Sequence, residues 1–427
     1  MITQLKIENY KSIQELTLDV GRVNVLIGEN GCGKSNILEA ITLAGATAAD
    51  KLDNEFLSSR GIRVTDSKLM RSAFRKRNVK YNVIIGVKFE GQSILQGYVI
   101  EHDNKIYSKW KRLEYESNLA DAVKTFIKLL DTEDNEVIKI LRDSLGKSIY
   151  NSVKLIHGES RAEKYLSEIR ALLSNEEKIK DFIIFSPENS ALRNFEKEGQ
   201  IEPLGVNGEG LLKLLVTMQA DTKYSDQEYS AFNEIIEILE LFDWYESLKI
   251  PTTLKRLEKL ITIKDCYLEM PFDQRSANEG FLLVLFYITL VVSKYTPKIF
   301  AIDNIDTSLN PKLCTKLIKE LTRLAKKYDK QIFLTSHNPA ILDGIDLGDE
   351  EQRLFVVSRN DQGHTCCDRL DLNDKPKSAT KARLLKLFKD NPIITQKIEE
   401  TFNNSEEPLK LSEAFLRGYL GGLPTGF

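Results

Sequence analysis

A glycine-rich segment, Gly28-Glu29-Asn30-Gly31-Cys32-Gly33-Lys34-Ser35, constrains the fold of this chain more than any other feature. A nearly continuous apolar run, Val23–Ile27, precedes it, and a helical pattern from about Ser35 to Ala49 follows it. This order predicts a buried strand, a tight loop and a helix. Glycines let a loop turn its backbone N–H groups inward, and a helix N-terminus adds a positive dipole end, so the segment is suited to bind a phosphate.

The segment fits the phosphate-loop pattern G-x4-G-K-S at every position. Lys34 would place a mobile positive charge on the β- and γ-phosphate oxygens, and the Ser35 hydroxyl would coordinate Mg²⁺. The alternative is a glycine-rich turn without a ligand, but the flanking strand and helix favour a nucleotide site. The predicted nucleotide-binding residues of this loop are Gly28, Asn30, Gly31, Cys32, Gly33, Lys34, Ser35 and Asn36.

A second apolar run, Ile299–Ile302, ends in Asp303. A phosphate-loop site needs a carboxylate at the end of a neighbouring buried strand to hold Mg²⁺. We therefore predict that Asp303 and Ser35 are the metal ligands. The alternative is that Asp303 only caps a strand.

The residue after this acid is Asn304, where many such ATPases carry Glu. An amide can orient the attacking water but cannot accept its proton, so hydrolysis is predicted to be slow unless Asp306 or His337 substitutes. The alternative is that this step does not limit turnover. His337 follows the apolar run Gln331–Thr335, from which its ring could reach a γ-phosphate. Asp303, Asn304 and His337 are thus the predicted catalytic residues.

The segment Arg275–Gly280 precedes the most apolar helix pattern of the chain, Gly280–Lys294. Ser276 and the N–H groups at the helix start would form an anion site. By itself, however, the same segment is better explained as an ordinary helix N-cap.

Composition is that of a globular chain, with 42% hydrophobic and 29% charged residues, so overall disorder is excluded. The five cysteines show no paired spacing and are predicted to be reduced. The longest apolar run, Phe281–Val292, is shorter than a bilayer span, and the charged N-terminal residues do not resemble a signal peptide. We expect a cytoplasmic protein without membrane contact.

Alternation of strands and helices predicts an α/β fold around a parallel sheet, with antiparallel strands between residues 81 and 116. A further strand is predicted at Tyr267–Phe272. The tail is either an arm packed on its own domain or a docking segment for a partner. The expected units are an N-terminal half (1–117), a helical insertion (118–180), a C-terminal half (181–373) and a helical tail (374–427).

Together these elements resemble the ABC-type ATPase heads of the SMC, RecF and OLD families, which are P-loop NTPases. The resemblance implies ATP and Mg²⁺ as ligands. It also implies an ATP-linked homodimer or higher oligomer, in which Ser276 contacts the γ-phosphate held by a second subunit. The matching motifs are Walker A (Gly28–Ser35), the signature (Ser276–Gly280), Walker B (Ile299–Asp303), the D-loop (Thr307–Asn310) and the switch histidine (His337).

Several positions depart from the family pattern. The signature is Ser-Ala-Asn-Glu-Gly, the D-loop ends in Asn310, and Glu188 is only a weak substitute for the Q-loop glutamine. Residues 118–180 are too short for SMC arms, and too few residues follow the head to hold a Toprim nuclease domain. The chain thus resembles stand-alone heads such as the ATPase subunits of Septu (PtuA-like) anti-phage systems, whose effector is a separate nuclease of HNH or Toprim type.

A basic stretch between Arg60 and Lys80 contains a single acid, Asp66, and interleaves Phe74. It is a possible nucleic-acid contact, whose binding would depend strongly on salt. The alternatives are a solvated face or a contact to the nucleotide. Its cations are Arg60, Arg63, Lys68, Arg71, Arg75, Lys76, Arg77 and Lys80.

The favoured function is an ATP-binding head with weak ATPase activity that acts as the sensor or regulatory subunit of an anti-phage defence complex. The alternative is a RecF-like DNA-repair ATPase that binds DNA. A self-contained nuclease is disfavoured, because no metal-binding cluster appears in the sequence outside the nucleotide site.

Overall fold

The computed structural model describes residues 1–92, 95–105, 107–113, 177–195, 201–222, 226–252, 260–370 and 411–416. The predicted helical insertion, 118–180, lies outside this part except for the helical residues 177–180. Most of the tail, 374–427, also lies outside it.

The strands and helices are numbered in chain order. The strands are β1 (Ile2–Tyr10), β2 (Ile13–Asp19), β3 (Val23–Gly28), β4 (Val83–Phe89), β5 (Gln96–Glu101), β6 (Lys111–Arg112), β7 (Ile184–Phe185), β8 (Tyr245–Lys249), β9 (Thr262–Asp265), β10 (Phe272–Asp273), β11 (Ile299–Ile302), β12 (Gln331–Ser336), β13 (Gln352–Arg359) and β14 (Thr365–Leu370). The α-helices are α1 (Lys34–Ala48), α2 (Asn54–Ser59), α3 (Asn189–Arg193), α4 (Leu211–Asp221), α5 (Asp226–Ile238), α6 (Glu279–Val292), α7 (Pro311–Lys327) and α8 (Leu411–Leu416), and 3₁₀ turns lie at Asn78–Lys80, Leu239–Leu241 and Pro339–Gly344.

A six-stranded sheet in the order β14-β13-β3-β12-β11-β7 forms the centre of the molecule. All neighbouring strands are parallel except β14, which runs antiparallel to β13. Every residue of β3, β11 and β12 is buried, which explains their apolar sequences. Because the carboxyl ends of parallel strands meet at one edge, the residues after β3, β11 and β12 converge there.

Two hydrophobic cores cover the two faces of this sheet. Val25 and Ile27 belong to the core formed with α4, α5, α6 and α7, whereas Leu26 belongs to the core formed with α1 and the antiparallel strands. The alternation follows from the two-residue period of side chains along a strand. Helix α6 is buried from Gly280 to Val292, so it is apolar on all sides.

A five-stranded antiparallel sheet, in the order β2-β1-β4-β5-β6, packs with α1 on the second face. The Gln331 side chain joins the two sheets: its Oε1 accepts from Ile2 N at 2.7 Å, and its Nε2 donates to Ile2 O at 2.7 Å. The predicted fold class is confirmed: the chain is an α/β P-loop NTPase of the ABC-type head class, with a mixed core sheet and an antiparallel β subdomain.

The prediction of a strand at Tyr267–Phe272 is wrong. The strand of this region is β9, and residues 266–271 form the turn that joins it antiparallel to β10. Tyr267, Leu268 and Met270 are 80%, 51% and 78% exposed. In the part of the chain that the structure describes, these apolar residues therefore cover no core. The turn belongs to a small sheet in the order β10-β9-β8.

The described part of the C-terminal tail is helix α8, which packs on its own domain. Ser412 N donates to Asp343 Oδ1 at 3.1 Å, the Ser412 hydroxyl donates to Asp343 Oδ2 at 2.7 Å, and Phe415 is buried in the main core. These contacts favour the packed arm over the docking segment for residues 411–416. Among the helices that the structure describes, none has both the length and the apolar character needed to cross a membrane.

Candidate nucleotide-binding site

The loop between β3 and α1 has the backbone that the glycine pattern predicts. Gly31 and Gly33 have φ values of +77° and +116°, in the left-handed region that favours glycine. Gly33 is also the N-cap of α1. A Cβ atom on Gly33 would collide with Thr365 Oγ1 and would lie 2.9 Å from Ser12 Oγ. The loop can therefore keep this shape only with glycine at position 33.

The Lys34 side chain is folded back under the loop. Its Nζ donates to the carbonyl oxygens of Gly28 and Glu29 at 2.8 Å each, and lies 3.8 Å from Cys32 Sγ. Burial lowers the pKa of Lys34. A buried ammonium group beside a glycine-rich loop is a fitting partner for phosphate oxygens, because the two are opposite in charge.

Ser35 and Asp303 meet although 268 residues separate them along the chain. The Ser35 hydroxyl donates to Asp303 Oδ2 at 2.9 Å, and Thr335 Oγ1 donates to Asp303 Oδ1. Mg²⁺ prefers oxygen ligands such as a hydroxyl and a carboxylate, so this pair, at the start of α1 and the end of β11, fits a nucleotide-bound Mg²⁺.

The three other polar residues at this edge are also close to one another. Asn304 has a left-handed backbone, with φ +56°, and its N–H donates to Thr335 Oγ1 at 2.8 Å. His337 N donates to Asp306 Oδ1 at 3.3 Å, and His337 Nδ1 lies 3.4 Å from Lys34 Nζ. Burial and the Lys34 charge lower the pKa of His337, so its ring is neutral near pH 7 and can accept a proton or a hydrogen bond.

Ser276 lies just before α6, but it does not cap that helix. The N-cap is Asn278, whose Oδ1 accepts from Gly280 N at 2.9 Å, and Ser276 is exposed. A Cβ atom on Gly280 would lie 3.2 Å from Ser308 O, so the helix start touches the D-loop. The Ser276 segment therefore leads into a helix start that lies against the D-loop. Its predicted contact with a second subunit stays a prediction.

A hydrogen-bonded network that sequence reasoning missed supports the loop. Ser12 Oγ lies 2.7 Å from Thr365 Oγ1, Asn36 Nδ2 donates to Ser12 Oγ at 2.6 Å, and Thr365 Oγ1 donates to Cys32 O at 2.8 Å. The distance of 353 residues between Ser12 and Thr365 explains why no local pattern indicated it.

A buried acid organises cations beside the loop. Glu39 on α1 is 1% exposed; it accepts from Arg63 Nε at 2.6 Å and from the ammonium group of Lys11. Arg63 Nη2 also donates to Asn36 Oδ1 at 3.1 Å. Lys11, Asn36 and Arg63 line one cleft together with Phe74 and with others. The sequence signal for this arrangement was a charged residue, Glu39, at a position of α1 where the pattern predicts an apolar residue.

The structure divides the basic stretch into buried and exposed cations. Arg71 is 1% exposed: its Nε donates to Tyr81 O at 2.7 Å, its Nη2 donates to His102 O at 2.6 Å, and its guanidinium lies 4.7 Å from the Trp110 ring centroid. Arg60 stacks on Phe56 at 4.9 Å. Arg71 therefore stabilises the fold and is not free for phosphates. Five cations of the stretch are exposed and do not pair with Glu39: Lys68, Arg75, Lys76, Arg77 and Lys80.

Comparison with models of known protein families assigns the chain to a family. Residues 1–265 match the model of an AAA ATPase domain family, and residues 269–343 match a second model, described as an AAA domain, putative AbiEii toxin, type IV TA system. The fold and the phosphate loop define an ATPase domain of the ABC-type class to which SMC and RecF heads belong. Since the first model matches more than half of the chain, the chain belongs to this AAA ATPase domain family.

Individual proteins match over shorter regions. The chain is 30% identical over 191 residues to the DNA double-strand break repair Rad50 ATPase of Archaeoglobus fulgidus, covering 43% of this chain and 20% of that protein. It is 38% identical over 55 residues to the DNA replication and repair protein RecF of Staphylococcus epidermidis, covering 13% and 15%. The chain thus spans a fifth or less of the length of these relatives.

Solved structures resemble the chain along most of its length. An Smc head bound to the C-terminal winged-helix domain of ScpA shares 14% identity at a TM-score of 0.47, covering 87% of this chain and 98% of that one. The SMC head domain from Thermotoga maritima shares 13% identity at a TM-score of 0.42, covering 87% and 99%. At this identity and TM-score, the likeness carries no functional argument.

Proposed function

We propose that the chain binds ATP with Mg²⁺ and hydrolyses it slowly. The observation that carries this proposal is the Ser35–Asp303 pair beside the Lys34 ammonium group. Loop N–H groups and Lys34 would hold the phosphates, and Ser35 and Asp303 would hold the metal. Bound Mg²⁺ would neutralise the charge that develops on the phosphate oxygens.

The slow rate follows from the residue after Asp303. The Asn304 amide can orient water but cannot take its proton. His337 is neutral near pH 7 and belongs to the same group of side chains, together with Asp306. We propose that one of these two residues supplies a weak general base. Turnover would then be low but measurable.

We propose further that ATP closes a homodimer and acts more as a conformational ligand than as fuel. Each nucleotide would lie between the phosphate loop of one subunit and the exposed Ser276 segment of the other. Interactions that exist only in the closed dimer shift the population toward it. In this role the chain would be the regulatory subunit of a Septu-like defence complex, and a separate nuclease would be held or released by the switch.

A RecF-like DNA-binding ATPase is the second candidate. The Rad50 and RecF matches favour it, since both proteins are named for DNA repair. The exposed cations from Lys68 to Lys80 would then neutralise phosphates. Retention of duplex DNA that needs ATP and falls steeply between 50 and about 200 mM salt would support this candidate.

Lys34→Ala tests nucleotide binding. We expect loss of ATP binding in a filter or calorimetric assay and loss of any ATP-dependent dimer in sedimentation velocity. Lys319→Ala, an exposed lysine on α7, is the matched control and should bind ATP as the parent does. Tight ATP binding by the Lys34→Ala variant would contradict the phosphate-loop assignment.

A second measurement separates the two candidates. The tagged full chain, purified at low copy from its native host with and without ATP, is weighed by native mass spectrometry. A stoichiometric, nuclease-sized companion would support the regulatory role. A chain that dimerises with ATP alone and shifts further only on adding DNA would support the DNA-binding ATPase instead.

A further inference from the structure

The turn between β9 and β10 presents large apolar side chains to solvent. Tyr267 is 80% exposed and Met270 is 78% exposed. Exposed acids lie in and beside this turn: Glu269 belongs to it, and the Asp243 carbonyl lies 3.8 Å from Cys266 Sγ. We call residues 266–271 together with Asp243 the acidic turn. Clustered exposed apolar residues with charges around them are typical of a protein interface.

A second exposed surface has the opposite charge. Residues 68–81, the basic segment, expose Leu69 by 60%, Phe74 by 39% and Tyr81 by 57%. Its exposed cations include Arg75 and Arg77. The two surfaces are therefore complementary. Each combines large apolar side chains with charges, and the charges are of opposite sign.

The two surfaces lie beside the two elements that the proposed dimer would bring together, the phosphate loop and Ser276. The basic segment lies beside the phosphate loop: the Phe74 ring packs on His364 with centroids 4.5 Å apart, and Arg359, on the same β13–β14 hairpin, donates from Nε to Gly31 O at 2.9 Å. The acidic turn leads through β10 directly to Ser276. Apposition of the phosphate loop of one subunit with Ser276 of another would bring the basic segment of each subunit toward the acidic turn of its partner.

We propose that the occupant of the acidic turn is the basic segment of a second copy of this chain. The inference rests on the proposed ATP-closed dimer and adds the surfaces that align it. Two-fold symmetry makes the contact twice, once on each side of the paired sites. Opposite charges steer the two subunits toward each other and disfavour arrangements that pair surfaces of like charge. Tyr81, Tyr267 and Phe74 supply apolar contact area.

Charge reversal on each surface tests the contact. One variant carries Arg75→Glu and Arg77→Glu, and the other carries Asp243→Lys and Glu269→Lys. Each alone would place like charges against each other in both contacts of its homodimer, so we expect ATP-dependent dimerisation to weaken by tenfold or more in sedimentation velocity. Lys319→Glu with Lys326→Glu, exposed lysines on α7, is the matched control and should dimerise as the parent does.

Mixing the two variants provides the decisive measurement. In the mixed dimer, the reversed basic segment of one subunit faces the reversed acidic turn of the other, and the second contact joins two native surfaces. We therefore expect the mixture with ATP to form a heterodimer nearly as tight as the parent dimer. Native mass spectrometry distinguishes it, since the two variants differ in mass.

The outcomes separate this inference from the function on which it rests. A parent chain that binds ATP but stays monomeric would overturn the proposed dimer and this contact with it. If the parent dimerises and either variant dimerises with the same affinity, the contact alone is overturned. The same holds if the mixture of the two variants does not form a tight heterodimer. Loss of DNA retention in the Arg75, Arg77 variant with unchanged dimerisation would assign the basic segment to nucleic acid and also overturn it.

Discussion

At the scale of single residues, Asn304 is the position that we expect to set the hydrolysis rate. We predict that Asn304→Glu raises ATP turnover several-fold, because a carboxylate can accept the proton of the attacking water. The left-handed backbone at this position favours Asn, so Glu should also lower the free energy of unfolding by about 1 kcal/mol. Steady-state phosphate release measures the rate. A turnover equal to that of the parent would mean that Asn304 is not the brake.

Arg71 illustrates how a residue from a charged stretch can be structural. Arg71→Ala removes buried hydrogen bonds to Tyr81 O, His102 O and Asn104 Oδ1, so we predict a loss of about 2–4 kcal/mol in the free energy of unfolding by urea. Arg77→Ala, an exposed cation of the same stretch, should change it by less than about 0.5 kcal/mol. Equal effects of the two changes would refute this distinction between buried and exposed cations.

The residues that sequence could predict are those whose neighbours along the chain define their role. Gly33, Lys34 and Ser35 belong to one contiguous pattern, and Asp303 ends a recognisable apolar strand. The contact of Ser12 with Thr365 joins residues 353 positions apart, and no periodicity relates them. The burial of Arg71 likewise depends on Trp110, which only the folded antiparallel sheet brings within reach.

At the scale of elements, periodicity predicted buried strands of the central sheet but not the small sheet β8-β9-β10. Strand β3 is buried along its length and α1 from Ile37 to Ala48, and both match their predicted bounds within one or two residues. The small β8-β9-β10 sheet was missed, because Tyr267–Phe272 has the apolar content of a strand yet forms an exposed turn. Apolar content predicts burial only when another element is available to cover it.

A buried lysine, Lys330, directly precedes β12 and should make stability depend on pH. Lys330 Nζ donates to Thr296 O at 2.8 Å, to Thr296 Oγ1 at 2.9 Å and to Pro297 O at 3.1 Å, with no carboxylate among these partners. Burial lowers the pKa of Lys330 to about 7. Between pH 7 and about 10 the unfolded chain therefore binds more protons at this lysine than the folded chain does, so stability rises with pH.

Lys330→Met isolates this contribution. We predict that the parent gains, relative to the variant, about 3 kcal/mol in the free energy of unfolding as the pH rises from 7 to about 9.5. Urea midpoints of both proteins at the two pH values measure the difference. Parallel pH profiles would indicate that Lys330 keeps an ordinary pKa in the folded chain.

At the scale of the whole molecule, the candidate site joins parts of the chain that are distant in sequence. Lys34 and Ser35 come from the N-terminal half, whereas Asp303 and His337 come from the C-terminal half, and β3 lies between β12 and β13 in the central sheet. Neither half alone would present a complete set of ligands. A nucleotide with Mg²⁺ that contacts all four residues would therefore stabilise both halves together.

This coupling predicts that ATP with Mg²⁺ stabilises the chain globally. At about 100 times the dissociation constant, the free energy of unfolding should rise by about 2.7 kcal/mol, seen as one shifted transition in thermal unfolding followed by both circular dichroism and tryptophan fluorescence. Chelation of Mg²⁺ by EDTA, or the change Ser35→Ala, should remove most of the gain, because the metal links the phosphates to Asp303. A gain confined to one of two separate transitions would mean that the nucleotide binds one half only, since a ligand held by both halves must stabilise them as a unit.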